Sequence, residues 1–533
     1  MHSNGLKRTV FLQGSVTSIA LVITLLLLLA FLVPFFYAMS PLWLNSQSSI
    51  TLDVEQLVKT ALYTIGIAIA STCIALIVAL PCAFFCAKRT FFGRNFLLSL
   101  SAIPLCLPPL LIALGFVLVF GMQGYYNKFL VAIFNLQDSP LQFLYSFWGI
   151  AIAQGFYNFP LIMKTVSATW QRIPQDQADV ARLLGANEGR IFCTVTIQQL
   201  MPAIVSSCAL VFLYCFFGFL IVLLFGVVGT TTLEVAIYKT TRASLNFKQA
   251  SFLALFETLI ALGLVFIWLK LEKNAKKNTG LAFGKTENMS KKLSSKEKPF
   301  FVLNMTVIVI FLLFPLCAIL IKACSDNSFA KIFARDSFWT SLFTTLKVGI
   351  ASASLSTITA IVVSLWVKKI DPFATKTFCR LIPLLPMAVS SVVLGFGLIV
   401  LFSRTSPIVL IFTQASLAWP FAFKQISTRL DKIPHSTLET SKLLSYNTFD
   451  TIFRVQIPMC KQSIVSAFAF CFAISCGDAI LPLVLAIPRF DTLALFTYRL
   501  ASSYRFNEAC ASGIILLALT AIIFYWNKND DTL

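Results

Sequence analysis

The sequence contains little charge and almost no histidine. Of its 533 residues, 12% are charged and two are histidine, His2 and His435, whereas 58% are hydrophobic. Soluble domains carry about a quarter charged residues, so this balance excludes an ordinary soluble protein and indicates a membrane protein. With no nucleophile–base pairing and no metal-ligand spacing, the sequence predicts neither an intramembrane enzyme nor a metal site.

The sequence also lacks paired cysteine clusters and a separate basic domain. Its 14 cysteines include no CxxC motif, and most stand singly within apolar runs, as Cys73, Cys208 and Cys215 do. We therefore interpret them as reduced packing residues and not as a disulfide framework. The net charge of +20 comes from Lys and Arg placed between the apolar runs. That distribution is typical of loops that set membrane orientation, and it predicts no nucleic-acid partner.

A nucleotide-binding domain is missing as well. The stretch GLAFGKT, residues 280–286, resembles a phosphate loop, but three residues separate Gly280 from Gly284 where the motif requires four. It lies in a Lys-rich segment with no preceding strand, and no polar region is long enough to hold such a domain. We expect no cofactor here, and any ATP hydrolysis is expected on a partner chain.

The sequence is instead rich in long apolar runs. Runs of roughly 20 residues or more can cross a bilayer. Twelve are present, at about 15–39, 57–87, 97–121, 145–170, 203–226, 249–269, 300–322, 337–367, 379–402, 405–428, 463–487 and 508–526. The predicted fold class is an all-α integral membrane protein. Lys and Arg concentrate on the cytoplasmic side, and every basic cluster agrees when both termini are cytoplasmic.

The twelve spans form two repeats of six. Residues 60–64, TALYT, match 340–344, TSLFT, at an offset of 280. Later pairs shift to 260, among them Gln154 with Gln414 and Tyr238 with Tyr498. The first half therefore contains about twenty extra residues, which we place in the loop at 121–146. Because six is even, the repeats are parallel. We predict a first repeat at 1–269, a cytoplasmic linker at 270–298 and a second repeat at 299–533.

Each repeat contains one long polar loop of the same form, residues 173–202 and residues 433–462. Both begin with Ile-Pro and continue as short helical pieces with acidic, small and leucine positions. One such loop alone would suggest a surface helix, but two at one offset resemble the EAA loops of type I, binding-protein-dependent ABC importer permeases. The matching positions are Asp179, Ala181 and Gly185 in the first loop, and Glu439, Ser441 and Ser445 in the second.

The resemblance implies a function and a set of partners. In that family the EAA loop is a coupling helix that docks on an ATPase subunit, so two loops imply two ATPase subunits. It further implies an extracytoplasmic substrate-binding protein, membrane lipid, a small-molecule cargo, alternating access and the bacterial inner membrane. Two departures stand out: Ser445 replaces the turn glycine and Gln198 replaces a proline. Since glycine favours positive φ, we expect the two loops to turn differently.

Ionisable residues and prolines within the spans are candidates for the transport path. Asp478 and Glu257 are acids within predicted spans, where charge is expensive. Prolines are expected to interrupt helices that line the path, and we single out Pro104, Pro160, Pro383 and Pro420. Two alternatives stay open: the acids are hydrogen-bonded structural groups, and the prolines only shape the bundle.

The cargo is suggested by a further resemblance. Segments such as GTTTLEVAIY at 229–238 and FDTLALFTYRLASSYRFNEA at 490–509 resemble the thiamine and thiamine pyrophosphate importers, with ferric-iron importers similar as well. A cationic cargo also suits a buried carboxylate with aromatic neighbours. The alternative from another class is a secondary transporter of the major facilitator kind. AKRTFFGRN at 87–95 partly resembles its inner loop but lacks the acidic residue.

Overall fold

The computed structural model describes most of the chain. The described residues are 22, 24–43, 54–100, 108–135, 137–174, 176–226, 231–278, 291–295, 297–369, 382–402, 405–445 and 448–528. The phosphate-loop-like stretch at 280–286 and Pro104 lie outside them. Within this part of the chain the structure is helical apart from two short paired segments.

Within its described residues, the first half of the sequence forms eleven α-helices and a two-residue strand. They are α1 Thr24–Leu42, α2 Val54–Lys88, β1 Arg89–Thr90, α3 Arg94–Leu100, α4 Pro109–Phe120, α5 Tyr125–Phe134, α6 Phe147–Trp170, α7 Asp176–Leu183, α8 Glu188–Phe216, α9 Leu220–Phe225, α10 Leu233–Arg242 and α11 Phe247–Asn278. At about 1.5 Å per residue, the 35 residues of α2 exceed the roughly 30 Å hydrocarbon core. Its charged ends Glu55 and Lys88 can therefore lie beyond the core.

The second half repeats this order. Its elements are β2 Lys291–Lys292, α12 Lys298–Cys324, α13 Ser328–Phe333, α14 Asp336–Lys369, a 3-10 helix Ile382–Ala388, α15 Ser391–Leu401, α16 Pro407–Asp431, α17 His435–Leu444, α18 at 448–477, α19 Ile480–Leu485, α20 Leu493–Ser502 and α21 Phe506–Lys528. Strand β1 pairs in parallel with β2. Beside this pair, Arg89 forms a two-point ion pair with Glu297, at 2.7 and 2.5 Å.

Nine helices in the described part of the chain are long and apolar enough to cross a membrane, or ten if a bent pair counts as one span. The predicted fourth and twelfth spans coincide with α6 and α21, which are helical but fall outside that count. The predicted all-α membrane class is confirmed. The number of twelve crossings stays a prediction.

The extra residues of the first half lie where the sequence placed them. Between α4 and α6 the chain forms α5 and a 3-10 turn, Phe143–Tyr145. Between α15 and α16 it has five residues, 402–406. Asn127 fixes this insertion, because its amide group donates to the carbonyl oxygens of Gly121 and Leu141 and accepts from the Leu141 N–H.

Packing divides the chain into two compact units that do not follow the sequence halves. Unit 1 contains residues 1–49, 237–254 and 327–533, and unit 2 contains residues 50–236 and 255–326. The first span, α1, thus packs with second-half helices. The seventh span, α12, packs with first-half helices. The linker at 270–298 as the boundary between the repeats stays a prediction, and the packing units cross it.

A similar close contact between a proline of a first span and a glycine of a third span occurs in each unit. In unit 2, a Cβ on Gly115 of α4 would lie 3.0 Å from the carbonyl oxygen of Pro315 on α12. In unit 1, Gly397 of α15 has no room for a side chain, because the carbonyl oxygen of Pro34 on α1 faces it. Small residues let helices approach closely in lipid. The first span of each repeat therefore packs on the third span of the other.

Candidate functional site: two polar loops and the broken spans

The two polar loops have the same construction. In the first, α7 is followed by a turn and by α8, which begins with one helical turn and a π-helical segment, Phe192–Thr196. In the second, α17 is followed by a turn and by α18, with the π-helical segment Ile452–Gln456. π-helical segments are rare in proteins, and those that occur are often found at functional sites. Both loops contain one, at an offset of 260, which indicates that the two loops have the same task.

Each loop exposes a pair of adjacent leucines that the sequence analysis did not single out. Leu183 and Leu184 are 88% and 83% exposed, and their repeat counterparts Leu443 and Leu444 are 87% and 83% exposed. Scattered exposed leucines are ordinary, but the same exposed pair at the end of two equivalent polar helices is not. The sequence does contain a signal for these residues, because two adjacent leucines recur in both loops at an offset of 260.

The acidic positions of the two loops have different surroundings. Asp179 accepts from Arg182 at 2.5 Å, and Arg182 also pairs with Glu188 at 2.7 Å. The pKa of Arg182 is raised, first by its hydrogen bond to Glu188 and then by Asp179. Glu439, the counterpart of Asp179, is exposed. The first acid is thus part of a surface ion-pair network that connects α7 to the start of α8.

The small-residue positions also differ in their surroundings. Ala181 is half-buried, whereas its counterpart Ser441 is 9% exposed and donates to the carbonyl oxygen of Leu438 at 2.8 Å. Both therefore lie on the side of their helix that is turned toward the protein, beside exposed neighbours. That placement leaves the leucine pairs free for a partner.

The turns after α7 and α17 differ, as the glycine-to-serine departure predicts. Gly185 has φ +83°, and the Ala186 N–H reaches back to the carbonyl oxygen of Ala181 at 3.0 Å, as in a glycine-terminated helix. Ser445 has φ −92° and ψ 140°, an extended conformation, and its hydroxyl lies 2.7 Å from that of Thr451. Helix α17 therefore ends with a contact between two side-chain hydroxyls, whereas α7 ends with a glycine in the left-handed conformation.

Asp478 lies at a break between α18 and α19. One carboxylate oxygen accepts from the N–H groups of Ile480 and Leu481, at 2.9 and 3.4 Å, and the other accepts from the amide of Gln414 at 3.1 Å. Acidic residues before a helix stabilise its unpaired N–H groups. The described contacts of this acid thus hold the short helix α19 to α16.

The equivalent break in the first half has no acid. Between α8 and α9 the counterpart of Asp478 is Gly218, where a Cβ would collide with Gln154 Nε2 and lie 2.9 Å from the Cys215 carbonyl oxygen. The Gln154 side chain accepts from Ser71 at 3.1 Å, but its Nε2 has no hydrogen-bond partner among the described residues. The same glutamine thus faces a carboxylate in one repeat and a bare glycine in the other.

Glu257 is a member of a buried pair of acids. It is 0% exposed and its carboxyl interacts with that of Glu234, which is 1% exposed. Neither Glu257 oxygen accepts a hydrogen bond from a donor in the described residues. Two adjacent buried carboxyls constrain each other's ionisation. Any role of Glu257 in transport therefore involves Glu234, which the sequence analysis did not select.

The proline predictions are corrected in part. Pro383 lies in the 3-10 helix Ile382–Ala388, which meets α15 at a bend of 94°, so the ninth span is broken as expected. Pro160 and Pro420 are buried inside the continuous helices α6 and α16. The expected breaks there are wrong, because neighbouring helices and local adjustment accommodate a proline in a membrane helix. The breaks occur one span later, at Gly218 and Asp478.

Comparisons with known proteins give one family match and several similar proteins. Residues 79–271 match the family described as binding-protein-dependent transport system inner membrane component. The thiamine transport system permease protein ThiP of Escherichia coli (strain K12) is 26% identical, over 82% of this chain and 82% of that protein. ThiP of Haemophilus influenzae is 25% identical, over 87% of each chain. A bacterial alginate ABC transporter structure overlaps 44% of this chain and 95% of its own, with 15% identity and a TM-score of 0.39.

The matched parts of the chain include the polar loops and the broken spans described above. The family match covers the first polar loop and the first break, and the relatives extend through the second repeat. These relatives are transport subunits, which agrees with the absence of an expected catalytic constellation in the sequence. The chain is a multi-pass inner-membrane permease subunit of an ABC importer and not an enzyme, and its residues 79–271 are the part that matches the binding-protein-dependent transport system inner membrane component family.

Proposed function

We propose that this chain forms the translocation path of an ATP-driven importer for thiamine or a thiamine phosphate. Support for the cargo comes from the similarity to thiamine permeases, which extends over 82–87% of the chain and therefore includes both repeats. An external substrate-binding protein delivers the cargo, and ATPase subunits on separate chains drive transport. The termini, the linker and the two polar loops lie on the cytoplasmic side, as the distribution of Lys and Arg predicts.

The observation that carries the coupling proposal is the repeated exposed leucine pair. Leu183 with Leu184, and Leu443 with Leu444, stand at the ends of equivalent helices at one offset. Burial of one leucine side chain contributes roughly 1.5–3 kcal/mol, so each pair can anchor a partner surface. Each loop docks one ATPase subunit through its leucine pair. Asp179 and Glu439 form a polar rim around these apolar contacts. Gly185 and Ser445 set the angle at which each leucine pair meets its partner.

The path residues have separate tasks in this proposal. Asp478 positions α19. The broken span at Pro383, with its bend of 94°, forms part of the wall of the path. Glu257 and Glu234 form a polar point within the first repeat. Alternating access then follows from motion of the loops: the ATPase subunits close on ATP, the path opens outward to receive cargo, and hydrolysis resets it inward.

The experiment measures ATP hydrolysis by the complete complex in lipid, with binding protein loaded with thiamine or with ferric iron. The variants are Glu439→Arg and Leu443→Asp/Leu444→Asp, with Glu439→Asp as the charge-conserving control. Tyr504→Asp introduces a single carboxylate at another 83% exposed side chain outside the loops. We expect thiamine to stimulate hydrolysis, and the first two variants to lose that stimulation by at least tenfold while both controls keep it.

Each outcome decides a different part of the proposal. Stimulation by iron alone would remove the thiamine assignment but keep the permease. Full stimulation in Leu443→Asp/Leu444→Asp would overturn the second loop as a docking element. Uptake that follows an ion gradient without ATP would favour the major facilitator alternative.

A further inference from the structure

The end of the linker is held to the chain that follows the second span. Residues 291–295 and 297, which we call the strap, directly precede α12, and their strand β2 pairs in parallel with β1 at the end of α2. Glu297 accepts from the Arg89 guanidinium at 2.7 and 2.5 Å and from the Ser294 N–H at 3.3 Å. A two-point pair of arginine with a carboxylate fixes the orientation of both groups. The strap is therefore anchored to Arg89.

Arg89 also contacts an aromatic ring of α2. The carbon at the centre of its guanidinium lies 5.2 Å from the centroid of the Phe84 ring. Such a cation is attracted to the face of the ring, and more strongly where water is partly excluded. Only 19% of the Arg89 side chain is exposed. Phe84 in turn lies against Trp170, with ring centroids 5.5 Å apart. The ion pair of the strap is thus continuous with the aromatic packing at the end of α6.

Trp170 closes the base of the first polar loop. It is the last residue of α6, just before the loop begins at 173, and it is 5% exposed. Its ring stacks on that of Phe192, with centroids 6.0 Å apart and planes inclined by 30°. Phe192 is the first residue of the π-helical segment through which the chain returns from the loop. The stack therefore joins the chain entering the loop to the chain leaving it.

The second polar loop has aliphatic residues at the corresponding places. At the offset of 260, Leu430 replaces Trp170 and Ile452 replaces Phe192. Their side chains are 3% and 4% exposed, whereas Phe192 is 40% exposed. The contacts from the strap to Phe192 also lie within one packing unit, unit 2. A connection between the linker and a polar loop is therefore a feature of the first loop.

We propose that the strap controls the position of the first polar loop through this line of contacts, and so sets how strongly the loop couples to its ATPase subunit. The line consists of Glu297, Arg89, Phe84, Trp170 and Phe192. Packed side chains and ion pairs are the contacts through which distant sites influence each other. When the ion pair is lost, Arg89 leaves the Phe84 ring, which then packs less firmly on Trp170. This inference rests on the docking function proposed above for the first loop, but not on the nature of the cargo.

The position of the loop can be measured at Cys193, a native exposed cysteine beside Phe192. In the complete complex without nucleotide, mass spectrometry of the Cys193 peptide gives the rate of its modification by a soluble maleimide. Glu297→Gln and Arg89→Gln should each raise this rate at least threefold, because the loop is held less firmly. The double variant should match the single ones, since both remove the same ion pair.

The matched control removes a carboxylate from the other end of α2. Glu55 forms an exposed ion pair with Lys59 at 2.6 Å, so Glu55→Gln should leave the Cys193 rate unchanged. An unchanged rate in Glu297→Gln and Arg89→Gln as well would overturn the line of contacts. Equal acceleration by Glu55→Gln would also overturn it, because the effect would then follow from any loss of charge.

A second pair of variants gives the first loop the residues of the second. Trp170→Leu and Phe192→Ile should raise the Cys193 rate, and adding Glu297→Gln should raise it no further, because the line is already interrupted. Phe192→Ile decides the matter if Trp170→Leu does not assemble, since Phe192 is partly exposed and its replacement removes less packing. Independent, multiplying effects of Phe192→Ile and Glu297→Gln would overturn the role of the strap.

ATP hydrolysis stimulated by loaded binding protein tests the consequence for coupling. Glu297→Gln should lower the stimulation at least threefold, whereas Glu55→Gln should keep it. A changed Cys193 rate with full stimulation would overturn control of coupling by the strap. Failure of the proposed docking function is recognised separately, because Leu183→Asp/Leu184→Asp would then keep full stimulation. The Cys193 rate requires neither hydrolysis nor cargo, so it still decides whether the strap positions the loop.

Discussion

The break in the fifth span and the break in the eleventh occupy the same place in the two repeats, yet they are filled differently. At the first, Gln154 faces Gly218, and its buried amide nitrogen has no hydrogen-bond partner in the part of the chain that the structure describes. At the second, Gln414 donates to Asp478, which in turn holds the N–H groups of α19. Both breaks thus have a glutamine, but the residue that faces it is a glycine in the first repeat and an aspartate in the second.

This difference shows how a repeated scaffold becomes specialised. Both repeats keep the broken span, because irregular backbone at membrane depth survives where protein surrounds it. The first repeat closes its break by bringing the glutamine against a glycine. The second inserts a carboxylate and so fixes α19 through charge-assisted hydrogen bonds. A single difference between the repeats, Gly218 in the first and Asp478 in the second, thus distinguishes a tightly packed break from a break that is held by polar contacts.

The largest expected effect comes from filling the first break. Gly218→Ala places a Cβ against Gln154 Nε2 and 2.9 Å from the Cys215 carbonyl oxygen. We expect destabilisation of about 1–3 kcal/mol, the usual cost of overpacking. Thermal unfolding of the purified complex measures it. Gly263→Ala on α11 is the matched control, since no atom of the described residues lies within 4 Å of a Cβ there. Equal melting temperatures for the two variants would contradict the close packing.

Removing the acid from the second break should have a smaller effect. Asp478→Ala removes the hydrogen bonds to Ile480, Leu481 and Gln414, and the loss of such a cap costs about 1–2 kcal/mol. Asp478→Asn keeps an oxygen for the N–H groups and should restore most of that stability and of transport. Uptake into proteoliposomes separates the roles. If Asn restores stability but abolishes uptake, the charge itself contacts cargo and the capping account is incomplete.

The smallest expected effect concerns the two loop turns. Gly185→Ser puts a side chain at φ +83° and should cost about 1 kcal/mol locally. Ser445→Gly should be nearly neutral, because φ −92° suits any residue. We expect Gly185→Ser to lower ATP hydrolysis coupled to binding protein severalfold and Ser445→Gly to leave it within twofold. The reverse order would show that the second loop, not the first, depends on its turn.

Much of the candidate site was predictable from sequence because it is repeated. The two polar loops and the paired glutamines follow from constant offsets. The turn at Ser445 followed from the steric preference of one residue type. Leu183, Leu184 and their counterparts were missed, since leucine in a mostly apolar sequence carries no local signal of exposure. Glu234 was missed because its pairing with Glu257 joins residues 23 positions apart.

The positions of the helix breaks were predicted poorly for a physical reason. Proline removes one backbone donor, but Pro160 and Pro420 lie in continuous helices where tight packing absorbs that loss. The breaks near Gly218 and Asp478 need no proline, because Gln154 and Gln414 support them from a neighbouring helix. Propensity is local, whereas the support for a broken helix comes from a tertiary contact.

The sequence by itself determined the membrane class, the repeated order of spans and the two polar loops, since lipid demands long apolar runs and repeats keep their spacing. Only the tertiary structure decided that α1 packs with the second repeat and α12 with the first. In both units a proline of the first span, Pro34 or Pro315, lies against a glycine of the third span, so the local pattern alone does not select the pairing. Which partner each span takes depends on the packing of the whole chain.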